Sequence, residues 1–168
     1  FYGLIGALFI YNLFLFLSLR DRAYLWYVCY VGTFGLALFT VDGFAFEYLW
    51  PNSIWWANHA MGTFLSGALL FGGLFAREFL GSAQRFPVLD RIMLAAIVLA
   101  GFLAMCAATG LLFQYGAIVR MLSYVAPVGA LMTLWIAIRA LVAGYEPARY
   151  FLLAWTALLV FVVIGSLR

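Results

Sequence analysis

The apolar positions of this chain gather into long runs separated by short polar joints. A helix needs about 20 mostly apolar residues to cross the hydrocarbon core of a bilayer. Six runs carry them: Phe1 to Leu19, Ala23 to Thr40, Trp56 to Phe75, Arg91 to Leu112, Gly116 to Leu141 and Ala148 to Leu167. Open sheets cannot cross lipid, because their edge amides would go unpaired, so such runs read as helices. The expected fold class is all-α, a polytopic transmembrane helical bundle.

The joint after the first run sets the orientation. One helix ends through Tyr11, Asn12 and Leu13 to Leu19, the turn is Arg20, Asp21 and Arg22, and the next helix opens with Tyr24, Leu25, Trp26 and Tyr27. Two apolar helices share so short a polar joint only if both end at the same membrane surface. The other arginines divide by connection. Arg77, Arg85 and Arg91 flank the third and Arg139 and Arg149 the fifth, while only Arg120 and Arg168 fall at the opposite surface. By the positive-inside rule the odd-numbered connections are cytoplasmic and the N-terminus is outside. Six spans then leave the far end outside as well, with Arg168 directly after Val162, Val163 and Ile164. This leads to the expectation of a seventh helix that returns to the cytoplasm. Phe1 opens inside an apolar run with no signal peptide, which suggests a chain cut from something longer.

Composition agrees with a membrane domain. Hydrophobic residues make up 68% and charged residues 9%, with a mean hydropathy of +1.12, whereas a soluble domain is about half apolar and a quarter charged. The net charge of +3 is scattered, which excludes a nucleic-acid footprint. All 9 basic residues are Arg, which suits a GC-rich bacterial genome and hence a bacterial inner membrane. Cys29 and Cys106 lie in different apolar runs, with neither metal spacing nor a disulfide framework.

Candidate chemistry is sparse. The second connection, Val41 to Trp55, combines Asp42 and Glu47 with Tyr48, Trp50, Trp55 and Trp56. Its plain reading is an interfacial aromatic belt with acids facing water. The functional alternative makes Asp42, Glu47 and His59 ligand contacts at an outer mouth. His59 is the one histidine of the chain, and a single histidine forms no metal site. The third connection, Ala76 to Asp90, reads as an interfacial segment. Pro87 suits the first turn of the next helix and Asp90 its positive dipole end, a helix start rather than a catalytic carboxylate. Pro127 sits inside the fifth run, where a kink is expected, its plain reading a static bend and its functional alternative a hinge. Asn12 is expected to find a partner on another helix. Small residues recur every fourth position at Ala96, Ala100, Ala104 and Ala108, and again at Gly129, Thr133 and Ala137. The fourth and fifth helices are therefore expected to pack through these ladders, with Gly62 and Ser66, and Gly32 and Gly35, as weaker versions. No phosphate loop, acid–base pair or nucleophile motif appears, so no catalytic, cofactor-binding or metal residue is assigned and no cofactor is expected. A transporter or channel is the alternative, though it needs a polar path at the midplane.

These landmarks carry a resemblance. Tyr11, Asn12, Arg20, Asp21, Arg22, Tyr24 and Tyr27, then Gly43, Trp50 and Pro51, then Arg77, Pro87, Arg149 and Trp155, stand in the order found in one family. The chain resembles the membrane domain of bacterial seven-transmembrane receptors with diverse intracellular signalling modules. The resemblance implies a sensor embedded in the lipid bilayer, catalytically silent itself. An extracytoplasmic domain, often similar to carbohydrate-binding jelly rolls, would precede it. A histidine kinase, diguanylate cyclase or phosphatase would follow the seventh helix as the cytoplasmic output module of the same chain. A homodimer fits, because such modules usually work in pairs. The named positions enter as signature positions without assigned roles.

Overall fold

The computed structural model describes residues 2–110 and 115–166, with side chains for 2–110 and 116–156. These residues form α1 (Tyr2–Leu19), α2 (Arg22–Val41), α3 (Phe44–Tyr48), α4 (Ile54–Leu80), α5 (Ser82–Arg85), α6 (Pro87–Thr109), α7 (Tyr115–Val142) and α8 (Pro147–Ser166), with no strand among them. Five of the helices, α1, α2, α4, α6 and α7, are long and apolar enough to cross a membrane, and α8 stands where the sixth span was expected. The chain is an all-α, multi-pass bundle. The expected span ends at Phe1, Leu112 and Leu167, and Arg168, lie outside the described residues.

α4 is the axis of the bundle and packs against α2, α6 and α7. Its glycines permit this. A Cβ at Gly73 would meet Ile97 Cγ1 at 2.7 Å, one at Gly72 the Tyr30 ring at 3.2 Å, and one at Gly67 Thr33 Cγ2 at 3.4 Å. Small residues let neighbouring backbones approach where lipid supplies no hydrophobic drive for association. α1 has no buried residue and packs on α2, with Ile5 and Phe9 set against Gly35 and Gly32. The pairs that looked weaker in the sequence are thus close contacts. The two regular ladders behave differently: Ala96, Ala100, Gly129 and Thr133 border a common cavity, and a Cβ on Gly129 would meet nothing within 4 Å.

Two apolar clusters hold the described bundle. One gathers Ala76, Leu80, Met93, Ile97, Ile136, Ala140, Ala148 and Phe151 at the end that carries Arg77, Arg85 and Arg149. The other joins Leu103, Ala107, Ile118 and Leu122 nearer the opposite end. The serine and threonine hydroxyls within the spans add little between helices. Thr33, Thr40, Thr63, Ser66, Ser123 and Thr133 each donate to the carbonyl four residues earlier in their own helix, so they are satisfied without a partner span. Asn12 does the same, donating to Leu8 O at 2.8 Å, which corrects the expectation of an interhelical bond.

The third connection is shorter than its sequence suggests. α4 continues past Phe75 to Leu80 because Ala76 and Leu80 keep the buried spacing, at 3% and 0% exposure. Gly81 ends it with φ +57°, its N–H bonded to Arg77 O and Glu78 O. α5 is a single turn, and α6 starts at Pro87 rather than Arg91. α7 runs unbroken through Pro127, whose ring faces outward.

Candidate functional site

The two ends of the bundle hold different chemistry. At the arginine-bearing end, α4 and α6 are antiparallel neighbours, and the tight connection between them sets Arg77 opposite Asp90. Arg77 Nε lies 2.8 Å from Oδ1 and Nη2 2.9 Å from Oδ2. Ser82 Oγ donates to Oδ1 at 2.7 Å. Asp90 is only 7% exposed and Ser82 fully buried. A carboxylate withdrawn from water needs both oxygens bonded, and the planar guanidinium fork supplies two donors in matching geometry.

A second set of contacts ties the α7–α8 connection to the same place. Arg85 lies over the Tyr145 ring, 3.8 Å from its centroid, and donates to Leu80 O at 3.1 Å. Tyr145 donates its hydroxyl to Phe79 O at 3.2 Å. Phe79 and Leu80 lie in the last turn of α4, whose carbonyls have no partner within the helix. This end is therefore a clamp that joins α4, α5, α6 and the α7–α8 connection. Beneath it stands an aromatic wall: Tyr27 packs on Phe75 at 5.1 Å, Phe75 on Phe79 at 5.4 Å, and Phe151 on Trp155 at 5.8 Å between ring centroids.

At the other end the loop 42–53 folds around α3. Gly43 has φ +83°, a conformation that favours glycine. Asp42 accepts a hydrogen bond from the Tyr2 hydroxyl, which closes α1 onto α2. Trp50 packs against Trp56 and Phe64, both at 6.1 Å, and its indole N–H is buried without an acceptor among the described residues. His59 stacks on Trp55 at 4.4 Å, with Nδ1 2.6 Å from Trp55 O. Glu47 is exposed on α3. No hydrogen bond or ion pair joins any two of Asp42, Glu47 and His59 among the described residues. No group of His, Cys, Asp and Glu there could hold a metal ion.

The remaining signature positions are spread over both ends. Arg20 takes φ +52°, and Asp21 caps α2 by accepting from Ala23 N at 2.9 Å. Tyr11 and Arg22 are exposed, Tyr24 is half-buried, and Pro51 stands in a turn. Pro87 opens α6. Arg149 Nη2 donates to the Tyr150 hydroxyl at 2.6 Å. The sequence reading missed the pairing of Arg77 with Asp90 and the parts of Ser82 and Tyr145. A usable signal was present, because Arg77 and Asp90 are opposite charges that flank one glycine- and proline-bounded connection between apolar runs.

A family model described as "7TM diverse intracellular signalling" matches residues 1–168. No curated protein and no solved structure matches the chain.

Proposed function

The chain belongs to the 7TM diverse intracellular signalling family, and from that premise we propose that it relays an extracytoplasmic event to a cytoplasmic output module through the packing of α4 against α6. That it is a multi-pass membrane sensor domain linked to intracellular signalling follows from the family itself. The relay reading rests chiefly on the Arg77–Asp90 pair, which fixes α4 to α6 at the end with most of the arginines. By the positive-inside rule that end is cytoplasmic, the N-terminus is outside, and the membrane is a bacterial inner membrane. The receptor carries an extracytoplasmic domain for a carbohydrate-type ligand and a kinase, cyclase or phosphatase as its output, and works as a homodimer. A ligand shifts such a system only by binding two arrangements with different affinities.

A disulfide lock tests the relay. A Cβ on Gly73 lies 4.0 Å from Ile97 Cβ, within the separation a disulfide bridges. In the full-length receptor with Cys106→Ala, Gly73→Cys with Ile97→Cys is expected to form a bridge that holds α4 on α6. Output is then expected to stop following stimulation when oxidised and to follow it again after reduction. Unaltered responsiveness at complete oxidation would remove α4–α6 packing from the relay.

A further inference from the structure

Between α2, α4, α6, α7 and α8 lies a cavity of about 410 Å³, within the range of small-molecule sites. It sits directly beneath the clamp: Ala76 and Phe79 flank Arg77 in α4, and Met93 follows Asp90 by one turn of α6. The space arises because the facing residues are small. Ala96, Ala100 and Ala126 line it, and Gly129 has open space where a side chain would stand. Its polar lining is slight. The Thr133 hydroxyl is already bonded to Gly129 O, Tyr27, Tyr30 and Tyr150 contribute mostly ring surface, and no charged side chain borders it among the described residues. A charged ligand would lose its hydration without finding a counter-charge, whereas an apolar one would not. Protein interiors rarely keep a void of this size. Tyr150, in the first turn of α8, both lines the cavity and is 58% exposed, so the cavity reaches the outer surface of the bundle near its arginine-bearing end.

We propose that this cavity is a binding site for a single hydrocarbon chain, the acyl tail of a membrane lipid or of a free fatty acid. The aromatic wall of Phe75, Phe79, Phe151 and Trp155 gives the chain a flat, polarisable surface, and the stripe from Ala96 to Ala100 gives it a smooth groove. Occupancy props α7 away from α6, immediately below the contacts that hold α4 to α6. Binding is read without reference to signalling output, so the site stands or falls independently of the relay.

The test is photolabelling of the full-length protein in nanodiscs of phosphatidylethanolamine and phosphatidylglycerol. One arm carries diazirine-bearing palmitic acid and the other a phosphatidylethanolamine with a diazirine in one tail, and labelled residues are mapped by peptide mass spectrometry. Labelling is expected on the lining residues Met93, Ile97, Val125 and Met132. In Gly129→Leu it is expected to fall about ten-fold or more, since a leucine takes over the apolar contacts of the ligand. Ala96→Leu, from the opposite wall, serves as the second variant. Gly116→Leu, on the same helix with equally open space, is expected to label like the unmodified protein. The arm that labels names the source of the chain. Labelling confined to outward-facing residues such as Val128 and Leu131, or undiminished in both filling variants, would overturn the proposal. So would a Gly129→Cys variant that cross-links to another part of the protein, because polypeptide would then fill the space.

Discussion

Arg77 and Asp90, thirteen residues apart, form a two-pronged ion pair across the connection between α4 and α6, the one ion pair among the described residues. The Asp90 side chain is 9% exposed and that of Arg77 31%. The carboxylate is thus the costlier partner to orphan, and the arginine retains some access to water. In an all-apolar bundle, most contacts tolerate sliding, because one apolar surface packs much like another. A bidentate pair permits one register only, which makes this the place where the relative position of two spans is specified.

Asp90→Asn is expected to destabilise the folded bundle by about 1–3 kcal/mol, because it leaves a partly exposed guanidinium with a neutral, poorer partner. Arg77→Gln, which orphans the buried carboxylate, is expected to cost more, and the double variant less than the sum of the two, as directly coupled residues require. Unfolding by detergent titration of the purified protein measures all three.

Ser82→Ala removes one donor to the same carboxylate but leaves the guanidinium fork in place. A smaller loss of about 1–2 kcal/mol is expected. Ser82→Thr keeps the hydroxyl but adds a methyl at a fully buried position. It is therefore expected to be no better than alanine, which separates packing from hydrogen bonding in the same titration.

Gly110→Ala is expected to be harmful for two separable reasons. The residue has φ +65°, and a Cβ there would stand 2.7 Å from His59 Nε2. The backbone part costs about 1–2 kcal/mol. The steric part displaces His59 from Trp55 and shows as a change in tryptophan fluorescence. Combining Gly110→Ala with His59→Ala is expected to relieve the steric part only.

The orientation gives a direct labelling experiment. Glu47 on α3 and Gln84 on α5 are both exposed and stand at opposite ends of the bundle. With Cys29 and Cys106 replaced, a Glu47→Cys variant is expected to react with a membrane-impermeant maleimide in intact spheroplasts. Gln84→Cys is expected to react only after permeabilisation. The reverse pattern would place the arginine-bearing end outside.

Much of the fold was legible because lipid leaves few options. Apolar runs of spanning length, broken by Arg20 and Asp21, by Gly81 to Phe86 and by Gly144 to Glu146, give the helices and their order almost directly. Contacts between helices were harder to read. The regular ladders from Ala96 and from Gly129 looked like the tightest seam, yet both border the cavity, while Gly72 and Gly73 mark a closer approach. A stripe of small residues shows that something can come near, not what does. Arg77 and Asp90 were each given a local role, as a flanking positive charge and a dipole partner. Their pairing depends on where α4 stops, and that is set by the burial of Leu80 and the backbone of Gly81.

The most direct test of a relay through α4 and α6 is the output of the full-length receptor in native membranes, measured per folded molecule, for Arg77→Gln, Asp90→Asn and the double variant. The expected result is a shifted basal output in both single variants, in the same direction, with the double variant shifted no further than either. Basal output per folded receptor equal to that of the unmodified protein in both single variants would contradict it, and would leave the Arg77–Asp90 pair as a structural clasp.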